Sequence, residues 1–115
     1  MPTRSGHTSV ILASKVVGTP VYAVSGEKIG HVEDVMLDKL SDCLAFAVLG
    51  RTLDDGREYL PVPWALLDYD LSREGYLLGL TAEQLKNAPT FAFDELTKGD
   101  GRLARERTHR FYSVL

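Results

Sequence analysis

The chain has 115 residues, 44% of them hydrophobic and 25% charged, with a formal net charge of −3. That length predicts one domain with a small core, and the mild negative charge speaks against a nucleic-acid grip spread over the whole surface, which needs a basic face. A single cysteine, Cys43, excludes an intrachain disulfide framework; no run of about 18 apolar residues is present to span a bilayer, Val10–Ala13 is too short for a signal peptide, and the expected location is the cytoplasm.

Met1–Ser9 is small, polar and aperiodic and reads as a flexible lead, with residues 1–14 as a whole expected to precede the folded domain. His7 sits there with no second ligand type nearby. Val10–Val17 reads as a strand-like opening of the domain. A β-hairpin follows, with Val21–Val24, a turn at Ser25-Gly26-Glu27-Lys28, and a long strand over Ile29–Asp38. The apolar residues of that second strand do not keep one phase. Ile29 and His31 set it, Val32 breaks it, and Val35 and Leu37 need it again. One extra residue near Glu33-Asp34 repairs the register, which predicts a β-bulge or sharp bend there.

Leu44–Gly50 is apolar on both faces and reads as a central, doubly covered strand. Arg51–Gly56 reads as a polar turn with an Asp-Gly step. Arg57–Val62 alternates, but Pro61 and Pro63 cannot donate to a ladder, so this strand lies on an edge or leaves the sheet. Trp64-Ala65-Leu66 reads as a short helical turn, and Leu67–Leu71 with Tyr76–Leu80 as another hairpin. Thr81 and Gln84 form a capping box for a helix of about two turns that buries Leu85 and Ala88 and stops at Pro89. Thr90–Phe93 is extended. After it the composition shifts, and residues 94–115 form a charged tail, helical from Arg102 onward, that carries Lys98, Arg102, Arg105, Arg107 and Arg110 against Asp94, Glu95, Asp100 and Glu106. About six short strands with one short helix near the C-terminal end predict a mostly-β fold, a small antiparallel barrel or sandwich over residues 15–93.

Several residue groups could carry chemistry. Glu33, Asp34 and Asp38 share one strand and could bind a cation or relay protons, but metal binding wants several oxygens converging from one loop, and an Asp at a bulge commonly bonds local backbone N–H groups instead. His31 beside the turn and His109 in the tail read as solvated. Cys43 has no local base to activate it and reads as a small buried hydrophobe. No Gly-rich phosphate loop is present. The expectation is therefore no catalytic residue, no metal and no cofactor. Trp64 is either a core anchor or an interface hot spot, and Tyr59, Tyr69 and Tyr76 could form an exposed aromatic face. Arg102, Arg105, Arg107 and Arg110 with Phe111-Tyr112 could hold RNA by phosphate contact and stacking, or dock the tail on its own barrel. The candidate interaction residues are Tyr59, Trp64, Arg102, Arg105, Phe111 and Tyr112.

Four segments in order resemble a known family. Val17-Gly18-Thr19-Pro20-Val21-Tyr22 opens the domain. Gly26-Glu27-Lys28-Ile29-Gly30 forms the hairpin turn, continued by Val32–Asp38. Leu60-Pro61-Val62-Pro63-Trp64 follows the fourth strand, and Leu80–Leu85 with Ala88-Pro89-Thr90-Phe91 closes the domain. Together they are similar to the PRC-barrel proteins, whose β-barrel also occurs in the cytoplasmic part of the photosynthetic reaction-centre H subunit and in the C-terminal domain of the ribosome maturation factor RimM. The charged Gly50–Gly56 stretch departs from the Gly- and Phe-rich segment of many stand-alone bacterial members. The resemblance implies a non-enzymatic adaptor or scaffold that binds a protein partner, as a homodimer. It leaves two alternatives: an RNA- or ribosome-associated assembly factor using the arginine-rich tail, and a peripheral regulator of a membrane electron-transfer complex. Nucleic acid is the less favoured partner, because residues 94–115 net only +1.

Overall fold

The computed structural model describes residues 11–40, 43–53 and 56–114. Among them, six strands run in order: β1 (Pro20–Tyr22), β2 (Lys28–Asp38), β3 (Cys43–Leu53), β4 (Gly56–Pro63), β5 (Leu67–Asp70) and β6 (Gly75–Leu78). Three α-helical segments accompany them: α1 (Ala13–Val16), α2 (Ala82–Leu85) and α3 (Arg102–Ser113). Short 3₁₀ turns cover Trp64–Leu66 and Phe93–Leu96, and a kinked turn with left-handed backbone over Lys98–Gly101 leads into α3.

The strands form one sheet in the order β4-β3-β2-β1-β6-β5. The mostly-β expectation is met, but the closed antiparallel barrel is not. β1 pairs with β6 in parallel, while the other neighbours are antiparallel. The sheet stays open, with β4 and β5 at its edges. The chemistry of β4 explains one open edge. Tyr59 turns both its backbone groups outward, donating to the Phe91 carbonyl at 3.1 Å and accepting the Phe91 N–H at 2.9 Å. Alternation puts residues 57, 61 and 63 in the same outward phase. Pro61 and Pro63 therefore stand where the outward N–H groups would be, and the strand has no donor there to offer another strand.

The predicted hairpin forms between β1 and β2, closed by Gly26 at φ 99°, a conformation glycine adopts without steric cost. The predicted bulge also forms. Val32 faces Leu49 and Asp34 faces Val48, so Glu33 is the extra residue. The insertion lets Val32 and Val35, three apart, both reach the main core. Asp34 Oδ1 accepts the Val35 N–H at 2.8 Å and fixes the bend.

β3 is central and doubly covered, as its sequence predicts. Ala47 and Leu49 enter the main core with Val21, Val32, Leu60, Val62, Tyr76, Leu78 and Leu85. Val48 enters a second cluster on the opposite face, with Phe91, Leu96 and Ala104, flanked by Met36 and Tyr59.

Three local expectations are corrected. Val10–Val17 is not a strand where it is described, because Ala13–Val16 is a single helical turn closed by the Val17 N–H on the Ala13 carbonyl at 3.0 Å. Its C-terminal end is tied by the Thr19 hydroxyl donating to the Lys15 carbonyl, and Gly18 at φ 94° turns the chain into β1. Arg51–Gly56 is not all turn. β3 continues to Leu53 and β4 starts at Gly56, paired directly opposite, because the ion pair of Arg51 with Glu58 prolongs the ladder. The capped helix has its predicted box at Thr81 and Gln84 but only one turn. Bonds from Lys86 to Glu83 and from Ala88 to Leu85 tighten it into a turn, since Pro89 disfavours helical backbone at the residue before it. His7 lies outside the described residues, as does the side chain of Cys43.

Gly30 and Gly50 sit where the β2–β3 ladder leaves no room for a side chain on Gly30. A Cβ at Gly30 would lie 2.5 Å from the Gly50 carbonyl oxygen, which backbone cannot vacate. One at Gly50 would meet the Glu33 Cγ at 2.8 Å and the Arg57 Nη2 at 2.9 Å, both on flexible side chains. Gly30→Ala is therefore expected to lower unfolding stability by about 2 kcal/mol, and Gly50→Ala by clearly less, as read by urea denaturation of the two variants beside the wild type.

Candidate functional site

The candidate interaction residues separate into three places. Trp64 starts the 3₁₀ turn after β4 and is half-buried against the main core. Its ring meets Tyr76 edge-on at 5.6 Å, and Tyr76 meets Tyr69 in the same way at 5.6 Å. Tyr76 is buried, and burial first, then the neighbouring Tyr69, pushes its phenol pKa up. Tyr59, Tyr69 and Tyr76 thus form no exposed aromatic face. Two of them pack from β5 and β6 against the main core.

Tyr59 belongs to the opposite face. It borders the second cluster, meets Phe93 edge-on at 5.1 Å, and has the Arg57 guanidinium 5.7 Å above its ring. Arg57 also pairs with Glu33, whose other oxygen lies 3.2 Å from His31 Nε2. The bulge puts the Glu33 side chain over the space that Gly50 leaves empty. Partial burial pushes the Glu33 carboxyl up, but the hydrogen bond and charge of Arg57, followed by those of His31, outweigh it and its pKa is lowered. The carboxylates of β2 do not converge. Glu33 faces Arg57, Asp34 bonds its own backbone, and Asp38 accepts the Leu40 N–H at 2.9 Å and Arg105 Nη2 at 3.0 Å. Among the described residues, no group of three His, Cys, Asp or Glu side chains is placed to hold a metal ion.

The remaining candidates lie on α3. Its buried side is made of small residues: Ala104 packs in the second cluster, and Thr108 is fully buried. At its far end Phe111 and Tyr112 turn toward the main core. The Tyr112 hydroxyl, the Thr108 hydroxyl and the Arg51 Nε are buried without a hydrogen-bond partner among the described residues. Burial pushes the Tyr112 phenol far up, and the Arg51 charge draws it back only in part. Arg102 and Arg105 point to solvent, as do Arg107, His109 and Arg110. Four arginines and one glutamate give this helix a net +3 on a chain whose total is −3. Among the described residues, Arg105 pairs with Asp38, whereas Arg102, Arg107 and Arg110 make no ion pair.

One feature is absent from the sequence reading. Phe46 and α3 bound a groove of about 540 Å³, its walls formed by Arg105, Glu106, His109, Arg110 and Ser113. The only signal for it in the sequence is that Phe46 shares the phase of Val48, so both belong to the second apolar face of β3. What lines the opposite wall follows from tertiary packing alone.

A family model described as PRC-barrel domain matches residues 9–85. No curated protein matches the chain. Among the described residues, no helix is long and apolar enough to cross a membrane.

Two outcomes follow from this geometry. Because Glu33 has a lowered pKa in the folded state, its pairing stabilises the protein fully above the ordinary carboxyl value, near 4.5. That contribution is lost as pH falls through the lower folded value. The melting-temperature gap between wild type and Glu33→Gln should therefore persist near neutrality and close as the pH drops below the carboxylate range. The unpartnered hydroxyls act in the other direction. Tyr112→Phe and Thr108→Val should each leave stability unchanged or raise it, by up to about 1 kcal/mol, seen as a higher urea midpoint with an unchanged slope.

Proposed function

The chain belongs to the PRC-barrel family, and on that premise we propose that it is a non-enzymatic adaptor that binds an acidic segment of a protein partner along α3. It works in the cytoplasm as a homodimer. The observation that carries this reading is the groove beside α3. Its floor is the apolar ring of Phe46, and its wall carries Arg105, His109 and Arg110 with a single acidic residue, Glu106, Arg105 being also paired with Asp38. Arg102 and Arg107 extend the positive charge along the same helix. A peptide with Asp or Glu residues around one apolar side chain complements both features.

RNA would also be drawn to these arginines, but it gains sequence-tolerant affinity from stacking on exposed aromatic rings. Phe111 and Tyr112, the rings nearest the arginines in sequence, pack toward the main core instead. The charge pattern without the rings favours a polypeptide over a nucleic acid.

The test is fluorescence anisotropy with short Asp/Glu-rich peptides, each carrying one Phe or Leu, beside single-stranded RNA of matched length. Peptide binding should weaken with salt and fall by about tenfold or more in Arg107→Glu/Arg110→Glu. RNA binding that exceeds peptide binding, and is lost in the same variant, would replace this reading with the nucleic-acid one. Absence of binding to either probe at low salt would remove α3 as the recognition surface.

A further inference from the structure

We propose that α3 is exchanged between two copies of this chain, so that the homodimer is a domain-swapped one in which each helix covers the sheet of the other. This deepens the homodimer part of the proposed function and rests on it.

The first observation is the connection that brings α3 back onto its own sheet. Gly99, Asp100 and Gly101 are three successive residues in left-handed backbone, with φ of 62°, 64° and 72°. L-residues visit this region singly, because Cβ crowds the following carbonyl there. Asp100 bears that crowding between two glycines. At Gly101 it is the backbone conformation alone that favours glycine, since a Cβ there would make only ordinary contacts, at 3.4 Å to the Leu96 carbonyl oxygen and 3.6 Å to Met36 Cε. The reversal is thus a short turn holding a non-glycine residue in a disfavoured conformation. If it relaxed to ordinary backbone, α3 would point away from its own sheet. A short strained hinge next to a separately packed element is the arrangement that favours exchange.

The second observation is what α3 covers. The family match ends at residue 85, whereas Phe91, Leu96 and Ala104, which cover Val48, all come later. Of these, Ala104 alone lies beyond the Gly99–Gly101 hinge and reaches Val48 through that one connection, and a second copy presents the same sheet face to it. On that face α3 contributes Ala104, Thr108 and the Arg105–Asp38 pair, with Phe111 and Tyr112 toward the main core. All of these contacts re-form when the helix of one copy sits on the sheet of another, and the hinge is then free to leave left-handed backbone. The buried, unpartnered hydroxyls of Thr108 and Tyr112 weaken the hold of α3 on its own sheet and make its release easier.

Exchange also changes the composition of the groove. Phe46 would come from one copy, and Arg105, His109 and Arg110 from the other. The dimer would carry two such grooves, and a partner with two acidic segments would gain from both.

Two measurements on the full chain test this. The first is solution mass by light scattering across a concentration series, for wild type and Asp100→Gly. Glycine relieves the left-handed residue and favours the closed monomer, so the variant should dimerise more weakly, by about fivefold or more. The second uses Asp38→Arg in one preparation and Arg105→Asp in another. Each variant alone sets like charges against each other across the helix–sheet contact. Unfolded together and refolded, an exchanged dimer restores opposite charges at both contacts, and native mass spectrometry should show heterodimers well above their binomial share. Wild type that stays monomeric at every concentration overturns the homodimer reading and the exchange together. Dimers that ignore Asp100→Gly and mix only statistically leave the homodimer standing and overturn the exchange.

Discussion

The constraint on which the rest of the structure depends is that β3 is apolar on successive residues. Phe46, Ala47, Val48 and Leu49 are all buried, and a strand of that kind can present neither face to water. One face is covered by the main core. The other needs a second layer, and the chain supplies it from its C-terminal part, where Phe91, Leu96 and Ala104 close over Val48. The α3 helix follows from this requirement. Ala104 and Thr108 on its sheet-facing side are small, which lets its backbone come close to the strands, and apart from Arg105, which reaches Asp38 on β2, its arginines are left in solvent.

The bulge at Glu33 couples the core to the surface chemistry. Without the extra residue, Val32 and Val35 would point to opposite faces, and one of them would leave the main core. With it, both are inside, and Asp34 and Met36 take the outer phase opposite Val48 and Phe46. The same insertion brings Glu33 over Gly50, between Arg57 and His31. Gly50 keeps that space open, so one backbone irregularity and one absent side chain position the ion pair that ties β2 to the β4 edge. Arg57 is shared between this pair and the Tyr59 ring, and Tyr59 in turn is bridged by its backbone to Phe91. The edge strand is thereby fastened both to the sheet and to the C-terminal cover.

What was legible in the sequence was local. The phase break between Val32 and Val35 announces the bulge, Pro61 and Pro63 announce the edge, and Thr81 with Gln84 announces the cap. Each is a rule about neighbours a few residues apart. The parallel pairing of β1 with β6 left no such trace, because Val21 and Tyr76 meet only after four intervening strands, and three residues of strand carry no sign of their direction. The Ala13–Val16 turn leaves no clear trace for a related reason: four residues are too few to separate helical from strand periodicity. The length of the β3–β4 ladder depends on Arg51 meeting Glu58, a cross-strand pair that in the sequence looks like a run of polar turn residues. The candidate site divided along the same line. The arginines of α3 were legible as an exposed charged face, whereas the partnership of that face with Phe46, 59 residues before Arg105, was not.

Phe111 and Tyr112 show how the two halves of α3 share the work. Read in sequence, they end an arginine-rich tail and look like part of its recognition surface. In the fold they turn inward, while the arginines before them turn out. The two rings bury the most apolar area that this helix has to offer and hold its C-terminal end, since Ala104 and Thr108 offer little. Its N-terminal end is fixed by the left-handed turn and by Arg105 on Asp38. Adhesion is thus concentrated at the two ends, and the outward face between them is free of any packing role. What that face offers a partner is charge around a single apolar floor. Charge presented in this way favours fast, salt-sensitive and reversible association over permanent docking, which is the behaviour the proposed adaptor role requires.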